Sequence, residues 1–211
     1  MIMTIAGLRA GAALALLGAL PCASMLAAQE PPSPPTASEP TRAAQAKVAA
    51  NLPAEGTRDS AFSTRGFLAT RSDPVIVNAA GKPVWNLAAY AFVTGPAPDT
   101  VNPSLWRHMT HLKHHGLYQV AAGVWQVRGF DVSNMTIIRG ATGWIVIDPL
   151  TSVEAAQAAM ELVNATLGQR PVSAMIYSHS HGDHFGGARG VVDPADVAAG
   201  RVPVIAPEGF M

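Results

Sequence analysis

The sequence is poor in the features that signal covalent staples or charged partners. Its only cysteine is Cys22, so no disulfide bond can form within the chain. Lys and Arg together number 14, as do Asp and Glu, so no net charge attracts nucleic acid or an acidic membrane. The apolar stretch at residues 10–20 is too short to cross a hydrocarbon core of ~30 Å as a helix. Nucleic-acid binding and a stable membrane span are therefore not expected.

Residues 1–28 have the pattern of a cleaved export signal. Arg9 precedes the apolar stretch, and the small residues Ala27 and Ala28 offer a cleavage site. The alternatives are an uncleaved membrane span and a lipoprotein anchored at Cys22, although the proline directly before that cysteine fits an anchor poorly. We therefore predict a signal peptide and a periplasmic or secreted protein.

Composition divides the rest of the chain into three parts. Residues 29–40 are rich in proline, serine and threonine, which favours an extended linker. Residues 41–116 are predicted to be an N-terminal extension with helices at residues 43–50 and 104–115. Residues 117–211 are predicted to form the main domain.

The main domain has the pattern of an α/β fold. Strands are predicted at residues 124–128, 135–139, 144–147, 172–177 and 202–205. A helix between the third and fourth strands is predicted to begin with a capping box from Thr151 to Glu154 and to end at Gly168. Strand, helix and strand in this order place the residues after the last of them at one edge of a sheet.

Four side chains that can bind metal follow the strand at residues 172–177 within six residues: His179, His181, Asp183 and His184. His179 and His181 are two residues apart, so both rings can point to the same side of an extended chain. Neutral imidazole and carboxylate are ordinary zinc ligands. Two ions about 3.5–4 Å apart can share a hydroxide and stabilise both oxygens of a displacement. The residues therefore predict a two-zinc hydrolase site.

Several polar residues near the predicted strand ends leave two interpretations open. Asp148 could cap the turn that follows it. It could instead accept an N–H from a ligand imidazole and so fix that ring's tautomer. Arg128, Asp131 and Asn134 surround a turn, where Arg128 could pair with Asp131, or where these side chains could contact substrate at the mouth of a pocket.

The second helix of the extension contains further histidines: His108, His111, His114 and His115. His111 and His115 would share one face of that helix. A solvated face, or a face at the mouth of a pocket, is favoured over a separate zinc site, because Arg107 and Lys113 lie among these residues. Leu105 and Trp106 are expected to pack the helix against the main domain.

The histidine motif, followed by Phe185-Gly186-Gly187, resembles that of the metallo-β-lactamase superfamily, whose members are hydrolases with an αβ/βα sandwich fold. Upstream segments resemble the alkyl sulfatase branch, the linear primary-alkylsulfatases, at residues 102–107, 116–118, 126–136 and 143–150. The likeness extends from about residue 66 to residue 211.

The resemblance implies an activity and roles for the motif residues. His179 and His181 would bind the first Zn²⁺, Asp183 and His184 the second, and a hydroxide between the two ions would be the nucleophile. Asp183 is thereby predicted to be catalytic as well as metal-binding. The implied reaction cleaves primary alkyl sulfates such as dodecyl sulfate to sulfate and alcohol, and the full-length protein is expected to be a homodimer. The alternatives are a β-lactamase or other hydrolase of the same fold, and an inactive zinc-binding remnant.

The sequence supplies few further metal ligands after the motif. No histidine follows His184, and the only later acidic residues are Asp193, Asp196 and Glu208. Catalytic zinc commonly has three protein ligands, whereas the motif offers two for each ion. We therefore expect the chain to be the N-terminal part of a longer enzyme, containing the first half of the sandwich. Alone, it is expected to fold poorly and to have little activity.

Overall fold

The structure, a computed structural model, describes residues 36–54 and 56–210, apart from the Thr57 side chain. Its helices are α1 (Glu39–Asn51), α2 (Thr57–Thr64), α3 (Pro103–Leu112), α4 (Val153–Leu167) and α5 (Pro194–Ala198). Its strands are β1 (Phe67–Ala69), β2 (Val75–Val77), β3 (Pro83–Asn86), β4 (Gly116–Ala121), β5 (Val124–Arg128), β6 (Met135–Arg139), β7 (Trp144–Ile147), β8 (Val172–Ile176) and β9 (Val204–Ile205). The predicted signal peptide and most of the predicted linker lie outside the described residues.

The helices of the extension differ in their bounds from the sequence-based prediction. α1 begins at Glu39, inside the predicted linker, because the Ser38 side chain accepts a hydrogen bond from the Thr41 amide. α3 is capped by the Asn102 side chain and ends at Leu112, three residues before the predicted end. Among the helices of residues 36–54 and 56–210, none is long and apolar enough to cross a membrane.

Seven strands form one mixed sheet in the order β1-β4-β5-β6-β7-β8-β9, and β2 and β3 form a separate hairpin. Neighbours from β1 to β7 are antiparallel, whereas β7, β8 and β9 are parallel, since α4 returns the chain between β7 and β8. The strands predicted at residues 124–128, 135–139 and 144–147 have these bounds in the structure. The last two predicted strands are shorter, because β8 ends at Ile176 and β9 begins at Val204. β1 lies in the predicted extension and yet belongs to this sheet.

The core lies between one face of the sheet and α4. Alternate strand residues such as Val127, Ile137 and Val146 are fully buried, as the two-residue period of a strand requires. On α4 the buried residues include Ala159 and Val163, which are four apart and so share a face. Burying a side chain as large as that of Val163 stabilises the fold by roughly 1.5–3 kcal/mol. This interface therefore holds the β7–α4–β8 unit in place.

α4 begins one residue later than the predicted capping box implies. The Ser152 hydroxyl accepts from the Ala155 amide and is the N-cap. The Thr151 hydroxyl instead donates to Asp131, at 2.8 Å. At the other end the helix stops at Gly168, as predicted, where a φ of +92° favours glycine.

One edge of the sheet collects the ends of several segments. Across that edge Gly116 is opposite Arg128, Val127 is opposite Met135, Thr136 is opposite Ile147, and Ile147 is opposite Ile176. The residues just outside these positions therefore lie side by side: 113–115, 129–134, 148–152 and 177–187. Arg128, Asp131, Asn134, Asp148 and the four residues of the histidine motif all lie at this edge.

Candidate metal centre

The histidine motif leaves the sheet at the carboxyl end of β8. The Tyr177 amide still donates to Ile205 of β9, at 2.8 Å, so the chain enters the motif from a fixed strand. A single 3₁₀ turn follows over Gly182–His184. The ring centre of His179 lies 4.7 Å from that of His181 and 4.1 Å from that of His184. The three imidazoles are thus gathered at one place rather than splayed apart.

Asp183 and His184 complete this cluster. His184 Nε2 lies 3.2 Å from Asp183 Oδ2, and on the other side of the ring His184 Nδ1 lies 2.8 Å from Asp148 Oδ2. Both side chains are partly buried. One nitrogen of the His184 imidazole is therefore hydrogen-bonded to Asp148, and the other lies beside the Asp183 carboxylate.

Asp148 is the most constrained polar residue of the site. It follows β7 with a φ of +56° and is 9% exposed. Its Oδ1 accepts from the Ser178 amide at 2.8 Å, and its Oδ2 accepts from the Ser178 hydroxyl at 2.6 Å and from His184. Burial by itself raises the pKa of this carboxyl, but the hydrogen bonds from Ser178 and His184 outweigh burial and lower the pKa below its ordinary value. The carboxylate thus binds the start of the motif and not the turn after Asp148.

Ionised Asp148 sets the tautomers of two imidazoles. A carboxylate only accepts, so His184 Nδ1 is the donor to Asp148, which leaves Nε2, on the Asp183 side of the ring, as the nitrogen that can ligate a metal ion. The single hydroxyl hydrogen of Ser178 goes to Asp148, so Ser178 Oγ accepts from His179 Nδ1 at 2.9 Å. His179 therefore also keeps its lone pair on Nε2. Neutral histidine ligates a metal ion through either ring nitrogen, and a hydrogen bond at Nδ1 leaves Nε2 for that role.

Residues 129–134 brace the motif from the side. Ser133 is a buried residue, 7% exposed, and its hydroxyl donates to the main-chain carbonyl of Asp183. Asp131 accepts from the amide and the hydroxyl of Thr151, both at 2.8 Å. The pair of Arg128 with Asp131 is one of the two alternatives open for this turn, and in the described part of the chain the Asp131 carboxylate binds Thr151 and not Arg128. The Arg128 Nε donates to Gln126 instead, at 3.1 Å.

Sequence reasoning missed Ser178 and Ser133. Ser178 directly precedes His179. A hydroxyl residue between a strand and a ligand motif is a local sign, readable in the sequence, that it could position the first ligand. Ser133 contacts a residue 50 positions away, so only the tertiary fold reveals its role. Both serines fix the motif through their hydroxyl groups. Neither side chain carries a carboxylate or an imidazole that could bind a metal ion.

The histidines that surround the end of α3 form no second metal site among the described residues. His115 lies outside α3 and its Nδ1 is 2.8 Å from Thr70 Oγ1, so the predicted shared helical face with His111 is wrong. Burial lowers the pKa of both His114 and His115, with a further contribution from Lys113 at His114. Burial therefore favours the neutral form of both rings.

The expected packing of α3 on the main domain through Leu105 and Trp106 is also wrong. Leu105 is 54% exposed. The Trp106 indole donates to the Gly95 carbonyl at 3.0 Å, and its ring lies 6.1 Å from that of Phe92. Trp106 therefore packs on the loop before α3, inside the extension.

The motif fits divalent metal in the chemistry of its donors. His179, His181, Asp183 and His184 offer imidazole nitrogen and carboxylate oxygen, and two of the rings have Nε2 prepared as an acceptor. Among residues 36–54 and 56–210, no three His, Cys, Asp or Glu side chains are placed to hold one ion together. The described residues therefore provide part of a coordination shell.

Asp148→Asn should weaken metal binding by about 10- to 100-fold, the usual effect of losing a partner of a ligand histidine. Asparagine has one acceptor oxygen where aspartate has two, and it also tolerates the positive φ, so the backbone conformation is kept. Competition with a chromogenic chelator measures the affinity.

Asp196→Asn is the matched control. Asp196 forms an ion pair with Arg201 away from the motif. Equal zinc affinity of the two variants would show that Asp148 does not orient a ligand.

Comparison with known proteins gives matches over most of the chain. Residues 128–211 match the sequence model of the metallo-beta-lactamase superfamily. The chain is 46% identical over 198 residues to an (R)-specific secondary-alkylsulfatase from Pseudomonas sp, a match that covers 93% of this chain and 29% of that protein. It is 42% identical over 177 residues to a linear primary-alkylsulfatase from Pseudomonas sp, covering 83% of this chain and 26% of that protein.

A solved structure is similar as well. The structure of a stereoselective inverting sec-alkylsulfatase from Pseudomonas sp. superimposes with a TM-score of 0.79 at 47% identity, covering 84% of this chain and 28% of that one. The chain thus spans 26% to 29% of the length of the two curated relatives.

Proposed function

Because the chain belongs to the metallo-β-lactamase superfamily and matches alkylsulfatases over most of its length, we propose that the whole protein hydrolyses sulfate esters of alkyl alcohols. The predicted resemblance and the mixed α/β fold class are both confirmed. The observation that supports the proposed chemistry most directly is the arrangement around Asp148. One buried carboxylate prepares His184 directly, and His179 through Ser178, for ligation at a single sheet edge.

In this proposal His179 and His181 hold one divalent ion and Asp183 and His184 hold another, both Zn²⁺. A bound zinc ion lowers the pKa of water to near 7 and so supplies a nucleophile at neutral pH. The residues of this chain position the ligands. Asp148 and Ser178 fix the ring orientations, and Ser133 fixes the main chain of Asp183. Asp183 is proposed to be catalytic through its place in this ligand set.

We propose primary alkyl sulfates, such as dodecyl sulfate, as the substrates. The similar proteins include a linear primary-alkylsulfatase and a secondary-alkylsulfatase, so the position of the ester is the finer part of the proposal. The protein expressed from its complete reading frame should release sulfate from dodecyl sulfate faster than from a 2-alkyl sulfate of equal length. It should leave a chromogenic β-lactam intact. Faster turnover of the secondary ester would reverse the preference, and β-lactam cleavage without sulfate release would replace the function.

A second candidate, zinc binding without turnover, is favoured by the incomplete ligand set of the described residues. Metal analysis of the same preparation separates the two. Tightly bound zinc with no sulfate release from either ester would favour a binding role, whereas two zinc ions per chain together with turnover would support the enzyme.

The proposal for the whole protein extends to its location and assembly. The pattern of residues 1–28 supports export to the periplasm or medium, and a mature N-terminus at Gln29 is the expected finding on sequencing the exported protein. We propose a homodimer on the basis of the resemblance alone. Light scattering of the purified protein measures the number of subunits. Neither nucleic acid nor a membrane is proposed as a partner.

A further inference from the structure

The N-terminal extension packs directly on the β5–β6 loop, residues 129–134. Trp85 of β3 donates its indole N–H to the Gly129 carbonyl at 2.9 Å. Gly129, with a φ of +74°, also lies against His115, since a Cβ added to it would come within 2.6 Å of the His115 Cβ. His115 is itself held by Thr70, with Nδ1 2.8 Å from the threonine hydroxyl. Two parts of the extension therefore hold the start of this loop.

The middle of the β5–β6 loop is fixed in the main domain. Phe130 is fully buried and belongs to the same core as Ile76 and Leu87 of the extension. The Asp131 carboxylate accepts from the amide and the hydroxyl of Thr151, both at 2.8 Å. Close-packed interiors transmit a displacement instead of absorbing it. A shift at the start of the loop is therefore passed along it.

The far end of the β5–β6 loop reaches the histidine motif. The hydroxyl of buried Ser133 donates to the main-chain carbonyl of Asp183. Asp183 lies in the 3₁₀ turn Gly182–His184, which begins in open space, because a Cβ added to Gly182 would meet no atom within 4 Å. Ser133 is therefore the contact that locates the Asp183 main chain from the side of the sheet.

This connection reaches one half of the motif. Within residues 36–54 and 56–210, the β5–β6 loop makes no hydrogen bond to His179 or His181. The Nδ1 of His179 is held by Ser178 instead, at 2.9 Å. The proposed function assigns Asp183 and His184 to the second Zn²⁺. A change in the loop should therefore affect the binding of the second ion more than that of the first.

We propose that the N-terminal extension positions the ligands of the second ion, acting at Gly129 through the β5–β6 loop and Ser133. Trp85 is in this view a positioning residue of the metal centre, although no residue of the extension belongs to the histidine motif. The inference rests on the two-ion assignment made under the proposed function.

Gly129→Ala should weaken binding of the second zinc ion by about 10-fold, within the range known for coupling through packed residues. The added Cβ pushes Gly129 away from His115 and so displaces the loop that carries Ser133. The affinity for the first ion should stay within about twofold of wild type. Stepwise competition with a chromogenic chelator, on protein from the complete reading frame, measures both affinities.

Gly123→Ala is the matched control for Gly129→Ala. Gly123 lies at the opposite end of β5 and has nearly the same φ, +76°, so alanine has the same conformational cost there. Its added Cβ would meet a single atom within 4 Å, the Cβ of Arg139 at 4.0 Å. Equal weakening of the second ion in both glycine variants would refute the link to the extension.

Trp85→Phe keeps the test decisive if Gly129→Ala fails to fold. It removes the donor to Gly129 and keeps an aromatic ring, and it should weaken the second ion by about 2- to 10-fold, the range for one hydrogen bond. Trp106→Phe is its control, because the Trp106 indole donates to the Gly95 carbonyl inside the extension, at 3.0 Å. Trp106→Phe should leave both zinc affinities at the wild-type level.

Thermal unfolding of the metal-free proteins separates positioning from general stability. Trp85→Phe and Trp106→Phe should have similar midpoints, whereas only Trp85→Phe loses affinity for the second ion. Unchanged second-ion affinity in Trp85→Phe and in any folded Gly129→Ala protein would overturn the inference.

The same preparations distinguish a failure of the inference from a failure of the proposed function. A protein whose second ion is weakened by Trp85→Phe, but which releases no sulfate from either ester, retains the inference and refutes the function. Ester hydrolysis with second-ion affinity insensitive to both variants does the reverse. A wild-type protein that binds only one zinc ion would overturn the inference together with the two-ion assignment.

Discussion

His181→Ala should reduce the kcat/KM for a primary alkyl sulfate by about 1,000-fold or more, because a metal-generated nucleophile and the charge stabilisation by the metal are each worth several kcal/mol. His181 lies in the imidazole cluster, with its ring centre 4.7 Å from that of His179. It is exposed, so the loss of its side chain removes a ligand without opening a cavity in the core. Sulfate release by the protein from the complete reading frame measures the rate.

His108→Ala is the control for this prediction. His108 is an exposed residue of α3 and is not part of the histidine motif. Its variant should keep wild-type turnover and zinc content. Zinc content measured on the same samples by mass spectrometry should fall in His181→Ala only. Undiminished turnover in His181→Ala would remove metal activation through this motif from the mechanism.

The features that the sequence predicts well are local ones. The strands at residues 124–128, 135–139 and 144–147 follow from alternating apolar residues between turns, and the end of α4 follows from Gly168. The clustering of the motif imidazoles likewise depends on spacing within six residues. Each of these patterns is determined by neighbours along the chain, so a tertiary contact is not needed to read it.

The features that the sequence does not predict depend on partners distant in the chain. Thr151 and Ser152 are both good N-cap residues, and the choice of Ser152 is made by Asp131, which engages the Thr151 hydroxyl from 20 residues away. For the same reason Asp131 does not pair with Arg128. The end of α3 is another case, since no glycine or proline occurs between Leu112 and Gly116 to mark it. The sequence alone cannot rank such competing hydrogen bonds.

The two roles left open for Asp148 differ in the same way. Capping its own turn is a local possibility, whereas the observed bonds reach Ser178 and His184, 30 and 36 residues away. Those distant partners are brought near because β7 and β8 are parallel neighbours, with Ile147 opposite Ile176. A residue directly after one strand then meets the residues directly after the other. Adjacency of two parallel strands is therefore the physical link between Asp148 and the motif.

Gly187→Ala should destabilise the protein by about 3 kcal/mol or more, at the upper end of what overpacking costs. Gly187 is buried, and a Cβ added there would lie 2.1 Å from the main-chain oxygen of Pro149, an atom that cannot move aside alone. The Gly187 amide also donates to the Leu150 carbonyl at 2.9 Å. This contact holds a turn in which Asp148 and Leu150 both have positive φ, a conformation that costs non-glycine residues about 1–3 kcal/mol each.

Gly182→Ala provides the comparison for Gly187→Ala, because a Cβ at Gly182 would meet no atom within 4 Å although the residue lies in the motif itself. Thermal unfolding of the protein from the complete reading frame should therefore show a large fall in midpoint for Gly187→Ala and little change for Gly182→Ala. Since the turn held by Gly187 also places Asp148, the zinc affinity of any folded Gly187→Ala protein should fall too. A stable Gly187→Ala variant with normal zinc affinity would mean that the turn after β7 and the motif are not locked together as described.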